Sequence, residues 1–135
     1  MVLIELLNIK KTKKMGTTST VRFYSEFSNK PIVNIYQQFD GYIFGVGYEL
    51  ANLLKDKKVI NGYNIETMAN GCANGMGCLA AQYIAHIKQN IGGVYIEDLD
   101  DEEEYNYHVK FIKNQLIIEV GNFHGTPKEL LEYKD

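Results

Sequence analysis

The 135-residue chain has no tryptophan, only two cysteines and two prolines, and no long run of apolar residues. Because a membrane-spanning helix needs about 20 consecutive apolar residues, we expect no membrane partner. The spacing of Cys72 and Cys78 fits neither a redox motif nor a zinc site, which favours a reduced, cytoplasmic protein. The N-terminal residues also lack the basic flank and small-residue cleavage site of a secretory signal, so the cytoplasm is the expected location.

Positive charge is also scarce, because 14 Lys and Arg stand against 17 Asp and Glu and give a formal net charge of −3. Proteins that bind nucleic-acid polymers hold the phosphate backbone with clustered Lys and Arg, so we expect no DNA or RNA partner. A few donors would still suffice for a small nucleotide. The acidic run at residues 98–104 does not have the ligand spacing of a calcium loop, and we predict neither a metal site nor a cofactor.

Hydrophobic residues at 45% and charged residues at 23% are values typical of a globular protein. A chain of this length forms one ordinary domain. We assign residues 16–135 to a single domain. Residues 1–15, which combine an apolar piece with a lysine cluster, are interpreted as an N-terminal extension.

Hydrophobic periodicity predicts the secondary structure. Alternation typical of strands occurs at residues 17–27, 32–39, 94–99, 105–111 and 116–120. Helical spacing follows Gly47 and Gly77, and a capping box at Thr126 begins a short final helix. The order shows no β-α-β alternation. We therefore predict an α+β fold: a mainly antiparallel sheet of about five strands, with two central helices packed on one face and a short C-terminal helix.

Two glycine-rich turns precede the predicted central helices, at residues 45–47 and 71–77. Glycine permits positive φ and lets another group approach the backbone closely. A helix start adds unpaired N–H groups and a partial positive charge, so each turn is a candidate phosphate site. The alternative is that the glycines only allow a helix to pack closely on the sheet.

Three motifs in these regions stand out. They are Tyr-x-x-x-Asp-Gly-Tyr at residues 36–42, Gly-x-Gly at residues 45–47 and Asn-Gly-Met-Gly-Cys-Leu-Ala-Ala-Gln at residues 74–82. Together they resemble a family of small, largely uncharacterised proteins found in phages, prophages and their hosts, over about residues 17–121. Gln38 and Ile43 depart from the family pattern, in which histidine and proline are common nearby. The resemblance implies a phage-type accessory or anti-defence role, and some anti-defence proteins sequester nucleotide signals.

We therefore expect a protein that binds and sequesters a phosphorylated, nucleotide-like ligand in the cytoplasm, that of the host if the protein is viral. The candidate ligand-binding residues combine the glycine turns with side chains suited to a base, a ribose or a phosphate. They are Arg22, Tyr36, Asp40, Tyr42, Gly45, Gly47, Asn74, Gly75, Gly77 and Cys78.

Two alternatives stay open. One is a protein–protein inhibitor of a host factor that acts through a tyrosine-rich or acidic surface. The other, less favoured, is a small hydrolase that uses Cys78 with His86 or His108, or a metal held by Asp40 and a histidine. No catalytic motif is present, so no catalytic or metal-binding residue is assigned. A polar sheet face is also compatible with a homo-oligomer.

Overall fold

The computed structural model describes residues 16–68 and 71–134, and the N-terminal extension with its lysine cluster lies outside them. Eight strands and four α-helices follow one another in this part of the chain. The strands are β1 (Ser19–Tyr24), β2 (Pro31–Gln37), β3 (Lys58–Ile60), β4 (Cys72–Asn74), β5 (Val94–Glu97), β6 (Tyr105–Ile112), β7 (Gln115–Val120) and β8 (Phe123–Gly125). The helices are α1 (Tyr48–Leu54), α2 (Ile65–Met68), α3 (Gly75–Ile87) and α4 (Pro127–Glu132), and a π-helical segment (Ile43–Gly47) runs directly into α1.

Six strands form one sheet in the order β5-β2-β1-β6-β7-β8. Neighbouring strands are antiparallel except β1 and β6, which run parallel. The short strands β3 and β4 form a separate parallel pair. The predicted α+β class and mainly antiparallel sheet are thus confirmed. The extra strands β3, β4 and β8 have three residues each, too few to produce an alternating pattern.

The hydrophobic core lies between one face of the sheet and the helices. Phe23 of β1, Leu50 of α1 and Tyr83 of α3 are completely buried in it. The rings of Phe23 and Tyr83 are 5.6 Å apart between centroids. The buried hydroxyl of Tyr83 accepts a hydrogen bond from the side-chain amide of Gln37 at 2.6 Å, which satisfies the need of a buried polar group for a partner.

Two local predictions are confirmed in atomic detail. In the β6–β7 hairpin, Lys113 and Asn114 have φ values of 51° and 63°, as a tight two-residue turn requires. At the start of α4, the Thr126 hydroxyl accepts the N–H of Glu129 at 3.3 Å. The Glu129 carboxylate in return accepts the N–H of Thr126 at 2.8 Å, which completes the capping box.

The central helical segments begin earlier than the glycine pattern predicts. The π-helical segment starts at Ile43 and α3 starts at Gly75, so Gly47 and Gly77 lie inside helical turns rather than in loops before them. An ideal Cβ on Gly47 would lie 3.1 Å from the ring of Tyr107, which accounts for this glycine by packing. No helix in the described ranges is long and apolar enough to cross a membrane.

Candidate functional site

The sheet face opposite the helices is polar. Each of the six strands contributes one residue to a single row across this face, because these residues are cross-strand partners. From β5 to β8 the row is Glu97, Asn34, Arg22, His108, Glu119 and His124. Directly opposed side chains lie about 5 Å apart, so the row is one continuous line of polar side chains.

Arg22, a predicted ligand residue, is only 4% exposed in this row. Its guanidinium donates to the carbonyl oxygen of Leu99 at 2.7 Å and to that of Asp101. The Asn34 amide donates to two carbonyl oxygens of the same segment, at 2.7 and 3.0 Å. These bonds hold residues 98–104, which we call the acidic loop, over the polar face by its backbone. The hydrogen-bonding capacity of Arg22 is therefore largely used inside the protein.

Tyr36 follows Asn34 by two residues on β2 and therefore lies on the same face. Its ring centroid is 5.8 Å from that of Tyr95. Burial and the carboxylates of Glu103 and Glu97 raise the pKa of its hydroxyl. The hydroxyl is therefore a neutral donor in acidic surroundings, a setting that disfavours an approaching phosphate.

The ten predicted ligand residues do not converge on one site. Residues 40–47 are anchored at the start of β1, where the N–H of Gly41 donates to the carbonyl oxygen of Thr17 at 2.8 Å. Residues 74–78 lie beyond the other end of β1, where Glu26 contacts the start of α3. Strands rise about 3.3 Å per residue, so roughly 20 Å separates the two groups.

Internal contacts account for the features of residues 40–47 that suggested a ligand. The carbonyl oxygen of Asp40 accepts the N–H of Val46 at 2.8 Å. The carboxylate of Asp40 accepts the hydroxyl of Tyr42 at 3.1 Å, and this hydrogen bond raises the pKa of Tyr42. A Cβ on Gly45 would overlap the Asp40 carbonyl oxygen, so close packing explains this glycine.

The start of α3, which the sequence marks as a phosphate site, binds a carboxylate of the protein itself. The Oε2 atom of Glu26 accepts the N–H of Met76 at 3.0 Å. The same oxygen lies 2.6 Å from the ideal Cβ position of Gly75, whose φ is 84°. A helix N-terminus favours negative charge, and Glu26 supplies it here. A ligand phosphate would have to displace Glu26 from this position.

Asn74 and Cys78 line a small pocket of about 340 Å³ beside the start of α3. The other lining residues are Ile60, Tyr63, Thr67, Met68, Cys72 and Gln82, none of which carries a formal charge. Gln82 donates to the backbone carbonyl of Cys72 at 3.1 Å. A pocket lined without charged side chains is suited to a neutral group rather than a phosphate.

The geometry does not support a thiol hydrolase. His86 lies eight residues after Cys78 on α3, which places it about 12 Å along the helix. His108 lies on the sheet face opposite α3, so neither imidazole reaches the thiol. Within residues 16–68 and 71–134, no group of three or more His, Cys, Asp or Glu side chains is arranged to hold a metal ion.

A basic groove of about 460 Å³ lies where α1, β3, the β6–β7 turn and the start of α4 meet. Four of its lining residues are lysines: Lys55, Lys57, Lys58 and Lys128. No carboxylate lines the groove, and Leu54, Val59 and Phe111 contribute apolar surface. The ion pairs among the described residues join Glu119 to Lys110 and His124, so all four groove lysines are without a carboxylate partner there.

A pocket of about 560 Å³ on the polar face contains His108, Glu119 and His124. Glu119 accepts hydrogen bonds from Lys110 at 2.9 Å and from Nδ1 of His124 at 2.8 Å, and these bonds lower its pKa. Nδ1 of His108 is 2.6 Å from the hydroxyl of Tyr24, and burial with nearby cations lowers the pKa of His108. The ionisable groups here largely satisfy one another, unlike those of the groove.

No family model, curated protein or solved structure matches the chain. By its geometry the groove is the strongest candidate site, although none of its lysines is among the ten predicted residues. The sequence holds one signal for the groove, the lysine-rich run Lys55-Asp56-Lys57-Lys58 at a helix end. Lys128 joins these lysines only in the folded protein.

Proposed function

We propose that the protein binds a phosphorylated ligand of nucleotide size and that the groove lysines hold its phosphates. The observation that carries this proposal is the convergence of four lysines on one groove without a lining carboxylate. Lysine is a compact, strongly hydrated cation that binds phosphate as a point charge. A volume of about 460 Å³ lies within the range of small-molecule sites.

Electrostatics supports the same function. Four lysines that line one groove make its electrostatic potential positive, and a positive potential favours a polyanionic ligand. The protein as a whole has a formal net charge of −3, so the groove attracts anions against the overall charge. The half-buried ring of Phe111 offers an apolar surface for a base or a sugar.

Binding without turnover fits the composition of the groove, because neither a histidine nor a carboxylate lines it. The lining therefore offers no imidazole or carboxylate as a general base. The finer part of the proposal is that the protein sequesters a signalling nucleotide as a phage-type anti-defence factor in the host cytoplasm. That part is supported by the resemblance carried by residues 36–47 and 74–82.

The test is a thermal-shift screen at low salt, with pyrophosphate, ATP, NAD, ADP-ribose and cyclic dinucleotides as probes, followed by calorimetric titration. A specific ligand at a hundredfold excess over Kd adds about 2.7 kcal/mol of stability and raises Tm. The double variant Lys55→Gln and Lys58→Gln should weaken binding at least about tenfold, equivalent to about 1.4 kcal/mol.

The matched control is Lys30→Gln with Lys134→Gln, which removes two positive charges outside the groove and should leave affinity unchanged. The groove variant should keep its unfolding free energy within about 0.5 kcal/mol of the wild type, because its lysines are unpaired. Equal loss of affinity in both variants would show diffuse electrostatic attraction instead of a site. If none of the probes raises Tm, the proposed function is wrong.

A further inference from the structure

Gln82 and Asn74, each with a side-chain amide, line the pocket of about 340 Å³ beside the start of α3, which we call the neutral pocket. Oε1 of Gln82 is shielded from water and has no hydrogen-bond donor among the described residues. Nε2 of the same amide donates to the carbonyl oxygen of Cys72 at 3.1 Å, so the group is held in position. Buried polar atoms in proteins are nearly always paired. An unpaired acceptor on a residue that lines a cavity therefore indicates a donor from outside the chain.

Asn74 adds a complementary group to the neutral pocket. Its Oδ1 atom accepts the N–H of Gly62 at 2.7 Å. Its amide nitrogen has no acceptor among the described residues and is available as a donor. The pocket thus combines an acceptor on Gln82 with a donor on Asn74. The edge of a nucleobase carries both acceptors and donors, whereas phosphate oxygens only accept, so the amides fit a base.

Exposed aromatic and apolar side chains complete the lining of the neutral pocket. Tyr63 is 65% exposed and Met68 is 70% exposed, although both line the pocket. The hydrogen bond between Gly62 and Asn74 fixes the chain immediately before Tyr63. Proteins bind unpaired bases by stacking them on aromatic rings and by pairing their edges with polar side chains. The neutral pocket offers both kinds of contact.

The strand β3 connects the neutral pocket with the basic groove. Lys58 and Val59 line the groove, and the next residue, Ile60, lines the pocket. In the β3–β4 pair, Lys58 is the partner of Cys72 and Ile60 is the partner of Asn74. Alternation along the strands places these four residues on the face opposite to Val59, which packs against the hydrophobic core. Two residues of strand span about 6.6 Å, so Lys58 lies at the rim of the pocket as well as in the groove.

We propose that the neutral pocket holds the base of a nucleotide whose phosphates lie on the groove lysines. This inference rests on the proposed function of the groove and adds the class of ligand, a nucleoside phosphate rather than an inorganic phosphate. Among the four residues on the outer face of the β3–β4 pair, Lys58 alone carries a charge, so it holds the phosphate nearest the base. The ribose crosses β3 between the base and that phosphate.

Calorimetric titration with probes that share a chain of three phosphates separates the pocket from the groove. Tripolyphosphate tests the groove alone, whereas ATP, GTP, CTP and UTP add a nucleoside to it. We expect at least one of these nucleotides to bind at least about tenfold more tightly than tripolyphosphate. Equal affinity of tripolyphosphate and all four nucleotides would overturn the base site and leave the groove intact. If neither tripolyphosphate nor any nucleotide bound, the proposed function itself would be wrong.

Two variants of the neutral pocket locate the base. Tyr63→Ala removes the exposed ring, and its control Ile65→Ala removes an exposed side chain that is not part of the lining. Gln82→Leu removes the unpaired acceptor, and its control Gln89→Leu changes an exposed glutamine beyond the end of α3. We expect each pocket variant to lower nucleotide affinity at least about fivefold with tripolyphosphate affinity unchanged. Both controls should bind like the wild type.

The Tyr63→Ala variant keeps the hydrogen bond between Gln82 and Cys72, so it provides the test even if Gln82→Leu does not fold. Phe111, which lines the groove, is the other surface on which a base could stack. We expect Phe111→Leu to keep the preference for the nucleotide over tripolyphosphate. If that preference survived in Tyr63→Ala and disappeared in Phe111→Leu, the base would lie in the groove and the inference would be wrong.

Discussion

The acidic loop and the basic groove are two charged regions near opposite ends of β6, and the fold uses them differently. The loop ends where β6 begins, whereas the groove contains Phe111 near the other end of the strand. Arg22 and Asn34 bind the carbonyl oxygens of the loop and fix it over the polar face. The groove lysines have no side-chain hydrogen bond or ion pair within the described ranges that would explain their convergence.

We infer that a cluster of like charges is a candidate ligand site only where no contact within the protein accounts for it. The acidic loop has a structural role, because its backbone satisfies two buried polar side chains. The side chains of the groove lysines instead have no hydrogen-bond or ion-pair partner among the described residues. Local choices that the fold itself does not require are expected at functional positions, which favours the groove over the loop.

Replacing Arg22 with Met should have the largest effect, because it removes the anchor of the acidic loop. Arg22 is 4% exposed and donates to Leu99 at 2.7 Å, so the loop loses its charged donor and is then held by the Asn34 amide alone. We expect a loss of about 3 kcal/mol in unfolding free energy, measured by urea denaturation. Limited proteolysis should also become faster at residues 98–104.

Glu102→Gln is the control for this variant, because Glu102 is exposed in the same loop. It should change stability by less than about 0.5 kcal/mol. If Arg22→Met were as stable as the wild type but lost nucleotide binding, Arg22 would be a ligand residue and the contrast between loop and groove would fail.

Two glycines of the predicted site differ in the space beside their Cα atoms. A Cβ on Gly45 would overlap the Asp40 carbonyl oxygen, whereas an added Cβ on Gly77 meets nothing within 4 Å. Gly45→Ala should therefore cost about 2 kcal/mol by overpacking. Gly77→Ala should leave stability unchanged or raise it by up to about 1 kcal/mol, because alanine favours the helix. Thermal denaturation compares the two.

These glycine variants also test where the ligand binds. Gly77→Ala should retain the affinity of the wild type for any probe that the groove binds. A Gly77→Ala protein of normal stability that no longer bound the nucleotide would restore the predicted site at the start of α3 and weaken the case for the groove.

Elements with strong local signals could be predicted from the sequence. The β6–β7 hairpin depends on two adjacent turn residues, Lys113 and Asn114, and α4 depends on a capping box of four residues. The strand β8 has three residues and is defined by its pairing with β7, so no periodicity reveals it.

The candidate site could not be predicted because it is a product of tertiary contacts. Lys128 is distant in sequence from Lys55, and only the packing of α4 against α1 brings both to one groove. The glycine-rich start of α3 predicts a site for negative charge. Glu26, fifty positions before Met76, supplies that charge from within the chain, and sequence spacing does not reveal this.

Glu26→Ala should have an intermediate effect. The variant tests whether a phosphate can bind at the start of α3 once the Glu26 carboxylate is removed. The variant leaves the N–H of Met76 without its carboxylate acceptor, at an expected cost of about 1 kcal/mol in unfolding free energy. Part of that loss should be recovered in phosphate relative to chloride at equal ionic strength, measured by chemical denaturation. Glu66→Ala, exposed in α2, is the control and should respond to neither change. Unchanged stability of Glu26→Ala would mean that α3 does not depend on this carboxylate.

Acidification should give the smallest effect, and it should separate the polar face from the groove. Burial and the cations Arg22 and Lys110 lower the pKa of His108 from 6.5, while Glu119 acts in the opposite direction. The unfolded chain therefore binds the proton more tightly. The stability contributed by neutral His108 is fully present above pH 6.5 and is lost as the pH falls through the folded-state pKa.

Unfolding free energies measured between pH 7.5 and 5 should decrease less in His108→Gln than in the wild type, whereas His86→Gln, at an exposed position, should follow the wild type. No histidine lines the groove, so affinity for a phosphodiester-type probe such as NAD should stay constant over this range. Equal pH slopes in His108→Gln and the wild type would remove His108 as the cause. Loss of NAD affinity in parallel with stability would show that the groove and the polar face are coupled.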